Sequence, residues 1–172
     1  ILKLFRVLIP AYKEFVLANK GRTFRQKVHA LVFPSAYGGT LHTLYDTFIV
    51  IWVIVSVLAV VLESVQSIHY LLNLEFLILD AIAVSIFTLE YCLRLYCCVE
   101  EPGYQKAVSG RLKLAKSTSA IIDLLAILPF LLESFFKQHL DLRFLRVFRL
   151  MRMLKLTRYT SAMDTLYKVI KR

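Results

Sequence analysis

Apolar residues are concentrated along this chain in four long stretches, with the charged residues mostly between them. Phe48 to Leu62 (FIVIWVIVSVLAVVL) is apolar at fourteen of fifteen positions, Ser56 being the exception. Extended by Leu44 and Tyr45, it reaches the length at which a helix crosses ~30 Å of hydrocarbon. A second stretch runs from about Leu71 to Leu95 and is interrupted by Glu75, Asp80, Glu90 and Arg94. The third, roughly Ser117 to Phe136, holds Asp123 and has Pro129 near its outer end, and the fourth, about Leu142 to Thr157, alternates basic with apolar residues. Runs rich in Val and Ile read as strands in water. In lipid, however, each segment must satisfy its own backbone, and four runs this long predict helices. The expected fold is an all-α membrane protein, an antiparallel bundle of four transmembrane helices.

The flanks complete the plan. Ile1 to Asn19 sets Leu4, Phe5, Leu8 and Ile9 beside Lys3, Arg6 and Lys13, the pattern of an interfacial helix on the inner leaflet, with Pro10 kinking or capping it. Residues 34–39 (PSAYGG) read as a turn leading into the first span. Near the end, Leu166, Val169 and Ile170 share a helical face away from Lys168, Lys171 and Arg172, which again suits an interfacial helix. The expected organisation is an interfacial N-terminal segment over 1–40, the four-helix domain over 41–158, and the start of a linker over 159–172. Lysines and arginines number seven in 1–30, four in 96–118 and three in 159–172, against none in 64–72 and one (Lys137) in 133–141. Fourteen against one places both termini and the 96–118 connection in the cytoplasm.

Composition supports a membrane over an aqueous environment. Apolar types make up 58% of the 172 residues, charged types only 20%, and the mean hydropathy is +0.63. The net charge of +10 would suit a nucleic-acid binder, but so apolar a chain fits a bilayer better. Five glycines and four prolines leave little material for a turn-rich β or phosphate-cradling fold. The three cysteines, Cys92, Cys97 and Cys98, lie within seven positions, so long-range bridges are excluded and a reducing side is the simpler assumption. Cys97 and Cys98 at the inner membrane edge read as small apolar filler before lipidation sites, and Trp52 as a packing or lipid-facing residue. Ile1 in place of Met suggests a fragment or a trimmed chain, and no cleavable signal is evident.

The fourth stretch carries the most unusual pattern. Arg143, Arg146, Arg149, Arg152, Lys155 and Arg158 follow one another at a strict spacing of three, and the positions between them are apolar until Thr157. A soluble amphipathic helix mixes steps of three and four. Steps of three alone make the basic stripe spiral by about 60° per step on an α-helix, and would straighten it in a 3₁₀ helix. Each Arg or Lys at mid-bilayer costs ~2.5–3.5 kcal/mol, so three or four together cost about 10 kcal/mol. The ladder is tolerable only where acids and water meet its charges. Asp80, Phe87 and Glu90, spaced by seven and three, share one face of the second helix, with the two acids roughly 15 Å apart. Asp123 lies on the third helix level with Glu90, and Glu63 ends the first at the outer surface.

This constellation resembles the voltage-sensor domain of voltage-gated potassium channels over about residues 44–172. FTLEYCLR (87–94) is similar to the family's second-helix motif, IIDLLAILPF (121–130) to its third-helix motif, and RFLRVFRLMRMLKLTR (143–158) to its fourth-helix ladder, including the lysine at the fifth rung. Short outer loops and GRLKLAKS in the inner loop look most like bacterial members. The resemblance implies that Arg143, Arg146, Arg149 and Arg152 are the main gating charges, with Lys155 and Arg158 as inner rungs. It implies that Phe87, Glu90 and Asp123 form the site through which charges pass, and that Glu63 and Asp80 are outer countercharges. The partners it implies are the bilayer and a pore domain of the same channel, tetrameric when full-length, in the cell (inner) membrane. No Thr-Val-Gly-Tyr-Gly filter occurs in the 172 residues, so the expectation is a sensor whose pore lies outside them.

Two other functions compete. A proton channel formed by the four helices alone also lacks a pore domain, and His69 and His139 in the outer loops could bind zinc as such proteins do. Those proteins carry an aspartate in the first span where this chain has Ser56, and their ladder is shorter. A voltage-controlled phosphatase would need a Cys-x5-Arg loop, which does not occur here. No triad, paired catalytic carboxylates or Gly-rich phosphate loop points to an enzyme, and no cofactor, metal or nucleic-acid site is expected.

Overall fold

A computed structural model describes the backbone of residues 2–106, 108–135 and 148–159, with side chains except at 2–5, 66–71, 133–135 and 158–159. Among the described residues there are helices and no strands. The elements are α1 (Leu2–Ala18), α2 (Phe24–Val32), α3 (Gly39–Glu63), α4 (Gln66–Cys97), α5 (Ser109–Ala115) and α6 (Thr118–Phe135). Short 3₁₀ segments cover Cys98–Glu100 and Leu150–Tyr159. The chain is an all-α membrane protein. Two helices, Gly39–Glu63 and Leu72–Glu100, are long and apolar enough to cross a bilayer, and α5 with α6 makes a third candidate as a broken span. The first three expected spans thus coincide with α3, α4 and α6. Backbone angles at Leu72 (φ −123°, ψ 28°) interrupt α4 near the expected start of the second span. Of the two roles expected of Pro10, capping is excluded: it sits inside α1.

Residues Ile1–Phe48 and Cys92–Ala115 form one compact unit, and Ile49–Tyr91 and Lys116–Arg172 another. In the second unit the usual distribution of residue types is inverted. Asp80, Glu90, Asp123, Arg152 and Lys155 are buried, whereas Ile51, Ile54, Leu58, Leu77, Ile82, Leu89 and Leu124 are exposed. Water would not tolerate that arrangement, but a hydrocarbon surround makes outward aliphatic side chains favourable and leaves charges only the interior. The remaining interior is a narrow apolar seam. Ile49, Val50 and Val53 with Ser56 line α3, Ala83, Val84 and Phe87 line α4, and Ala120, Ala126 and Ile127 line α6.

The first unit is held by polar clasps. Asn19, fully buried at the end of α1, donates through Nδ2 to the carbonyls of Phe15 and Tyr37 (both 2.9 Å), and Thr40 donates to Glu14 (3.0 Å). α2 opens with a capping box: the Gln26 amide donates to Thr23 Oγ1 (3.4 Å), and the Thr23 amide donates to Gln26 Oε1 (3.1 Å). The helix then grips the turn after α4. Arg25 pairs with Glu100 at 2.5 Å, and His29, stacked on Phe33, meets Glu101 at 2.8 Å. The expected turn before the first span is present, closed by Gly38 donating to the Ser35 carbonyl (3.2 Å). Thr23→Ala should cost about 1 kcal/mol through the lost cap. Hydrogen exchange should show faster opening of α2 and unchanged protection in α3.

Candidate functional site

The straightened ladder is the central feature of the second unit. Phe148 and Arg149 are α-helical, and Leu150–Tyr159 tightens to a 3₁₀ helix. Three residues per turn and ≈ 2.0 Å per residue place side chains spaced by three in a straight row, about 6 Å apart. Burial follows that period. Arg152 and Lys155 are 0% and 1% exposed, while Met153 and Leu154 between them, and Met151 just before, are exposed. The sequence spacing thus presents one continuous cationic edge to the interior and the methionines and leucines outward.

Each described rung meets acids from neighbouring helices. Arg149 Nη1 lies 3.1 Å from Glu63 Oε2, where it donates a hydrogen bond, and 3.8 Å from Asp80 Oδ2. Arg152 Nη1 donates to Asp80 Oδ1, and its Nε donates to the Ala126 carbonyl of α6 at 3.3 Å. Lys155 Nζ donates to Glu90 Oε2 at 2.8 Å and pairs with Asp123 Oδ1 at 3.2 Å. Its ammonium also stands 4.3 Å from the centroid of the fully buried Phe87 ring. Lys155 therefore has two carboxylates for charge and one aromatic face for its desolvated surface.

Local sequence explains why these groups point the same way. Asp80, Phe87 and Glu90 are seven and three residues apart, so α-helical periodicity puts them on one stripe of α4, and all three are buried. Asp123, also buried, is the one acid of α6 before its final turn. Pro129 lies inside α6, where its missing N–H leaves the Leu125 carbonyl, next to Ala126, without its helical donor.

The structure brings Glu63, Asp80, Phe87, Glu90, Asp123, Arg149, Arg152 and Lys155 into one cluster. Acids and cations occur in the same order: Glu63 and Asp80 meet Arg149, Asp80 meets Arg152, and Glu90 with Asp123 meets Lys155. Arg143, Arg146, His139 and the 160–172 part of the linker, with Leu166, Val169 and Ile170, lie outside the described residues, as do the side chains of His69 and Arg158. Ser56, where the competing proton channels carry an acid, is buried with its hydroxyl donating to the Val53 carbonyl (2.9 Å). Sequence reasoning missed the Ala126 carbonyl, since a backbone acceptor leaves no residue signature beyond the nearby proline. Among the described residues no group of three His, Cys, Asp or Glu side chains could hold a metal ion.

A row of cations, fully buried at Arg152 and Lys155 and each matched by carboxylates on outward-apolar helices, marks a membrane protein with charge at its core. The ion transport protein family matches residues 42–172, and the chain belongs to that family. It is 27% identical over 149 residues to a Rhodopseudomonas palustris protein provisionally named a potassium channel protein, covering 86% of this chain and 36% of that one. It is 32% identical over 158 residues to potassium voltage-gated channel subfamily V member 1 of Mesocricetus auratus, covering 84% and 29%, and equally to that of Rattus norvegicus. The chain thus spans about a third of the length of these relatives. Its kinship is with voltage-gated potassium channels, and it is a multi-pass membrane protein with a voltage-gated ion channel-related role.

Proposed function

We propose that the chain is the voltage-sensing module of a voltage-gated potassium channel. Its domain is 41–158, and 159–172 begins the linker to a pore domain. Arg143, Arg146, Arg149, Arg152, Lys155 and Arg158 are the gating charges. Phe87, Glu90 and Asp123 form the charge-transfer site, and Glu63 and Asp80 are countercharges nearer the outer surface. The observation that carries the reading is the threefold hold on Lys155, by Glu90, Asp123 and the Phe87 ring, with Arg152 and Arg149 following at successive acids. A cation leaving that site exchanges one carboxylate for another without crossing bare hydrocarbon, while the buried ring keeps water on its two sides apart.

Moving one charge across the field is worth ~2.3 kcal/mol per 100 mV, so three rungs supply about 7 kcal/mol, roughly a 10⁵-fold population shift. With Lys155 in the site and two described arginines beyond it, the ladder stands displaced outward, the position a depolarised membrane favours. Inward movement on hyperpolarisation is passed through the linker to the pore, around which four such modules give steep gating. Both termini are cytoplasmic in the cell inner membrane. The exposed Ile9, Tyr12 and Val16 beside Lys13 and Lys20 support α1 lying on the inner leaflet.

Under voltage clamp, the reconstituted chain should give a transient, saturating charge movement with no sustained current. A sustained proton current would instead establish the proton-channel alternative. A chain that moves no charge at any potential would overturn the sensor assignment.

A further inference from the structure

The connection between α4 and α6 holds a cavity that the sensing mechanism does not use. It measures about 330 Å³ and is lined by Gly103, Gln105, Lys106, Ser109, Gly110 and Lys113. Its shape is set by the backbone. Gly103 takes a positive φ (+96°), the Gly110 amide donates to the Lys106 carbonyl at 2.7 Å, and a Cβ at Gly110 would strike the Tyr104 carbonyl. Lys113 is drawn over this corner, its Nζ 3.4 Å from the Gly103 carbonyl and 5.3 Å from the Tyr104 ring centroid.

The charge around the cavity is of one sign. No acidic residue occurs between Glu101 and Asp123. The two acids just before it are already engaged, Glu100 by Arg25 and Glu101 by His29. Lys106, Arg111 and Lys113 are exposed and make no ion pair among the described residues. An anion entering the cavity would therefore meet two ammonium groups, the Ser109 hydroxyl and the Gln105 amide, with no carboxylate to repel it.

The neighbouring helical stripe identifies the kind of anion. Val108 and Leu112, one helical turn apart and joined by the 3.0 Å bond from the Leu112 amide to the Val108 carbonyl, are 74% and 57% exposed. They stand beside Ser109 and Lys113, which share the next stripe of α5. An apolar stripe alongside a cationic cavity matches an amphiphile, not a soluble anion. We infer that this cavity is a binding site for the phosphate headgroup of an anionic phospholipid of the inner leaflet, with Val108 and Leu112 seated among its acyl chains. The inference rests on the reading that the 96–118 connection faces that leaflet.

Titration of the detergent-solubilised chain with phosphatidic acid tests it. Binding should saturate, and the double variant Lys106→Gln, Lys113→Gln should weaken it about 30-fold, about fivefold per lysine. Lys27→Glu, on the exposed side of α2, changes the net charge by the same two units elsewhere and should leave it within about twofold of wild type. Phosphatidylcholine should not bind, and inorganic phosphate should not displace the acid lipid. Equal losses in the double variant and in Lys27→Glu would show diffuse attraction to net charge and overturn the site. Displacement by inorganic phosphate would make the occupant a free anion and overturn the lipid assignment. Charge movement is recorded separately on the wild-type chain, so a failed sensor reading and a failed lipid site give different results.

Discussion

Arg152→Gln should remove up to about one elementary charge from what the domain moves, ~2.3 kcal/mol of field work per 100 mV. Arg152 is fully buried between Asp80 and the Ala126 carbonyl, so its charge lies inside the protein and not in screened solvent. Glutamine retains a donor for Asp80, which limits the structural damage. Arg149→Gln should act in the same direction, since Arg149 precedes it on the same row and meets Glu63 and Asp80. Lys13→Gln, on the exposed surface of α1, should leave the voltage dependence unchanged. The measurement is the slope of charge moved against voltage for the three variants. Ladder variants that keep the wild-type slope while Lys13→Gln does the same would show that these cations do not cross the field.

Glu90→Ala should destabilise the domain by about 3–5 kcal/mol, the usual consequence of removing one partner from a buried ion pair. The ammonium of Lys155 would then keep Asp123 and the Phe87 ring but lose its closest contact, at 2.8 Å, in a place where it is 1% exposed. Glu63→Ala should cost less. The Glu63–Arg149 pair is 12% exposed on both sides, and Arg149 has Asp80 at 3.8 Å as a second partner. Denaturant unfolding in micelles, followed by helicity, should rank Glu90→Ala well below Glu63→Ala in midpoint. Equal midpoints would mean that solvent already reaches the Lys155 site.

The two units differ in how legible they were from sequence. The second was largely readable: a charge inside an apolar helix is costly, so every acid in a span and every basic rung is conspicuous. The first unit was not. Arg25, His29, Glu100 and Glu101 are ordinary residues in polar connections, and nothing in their spacing says that residues more than 70 positions apart would clasp. The cavity near Lys106 and Lys113 was equally hidden. Lys106 and Lys113 are plain in the sequence, but the hollow between them depends on Gly103 and Gly110 folding the backbone onto Tyr104.

Spacing and hydropathy alone determined that this protein is helical, that it crosses a membrane, and that a row of cations at intervals of three must find anions in its interior. Those properties follow from the covalent order of the side chains and the cost of placing charge in hydrocarbon. Only the tertiary structure decided that residues 150–159 wind as a 3₁₀ helix, and that Lys155 rests against Phe87 between Glu90 and Asp123 while Arg152 takes Asp80. A ladder with equal steps has several registers of similar chemistry. Which cation meets which acid depends on how far one helix has slid past its neighbours, and that is a property of packing.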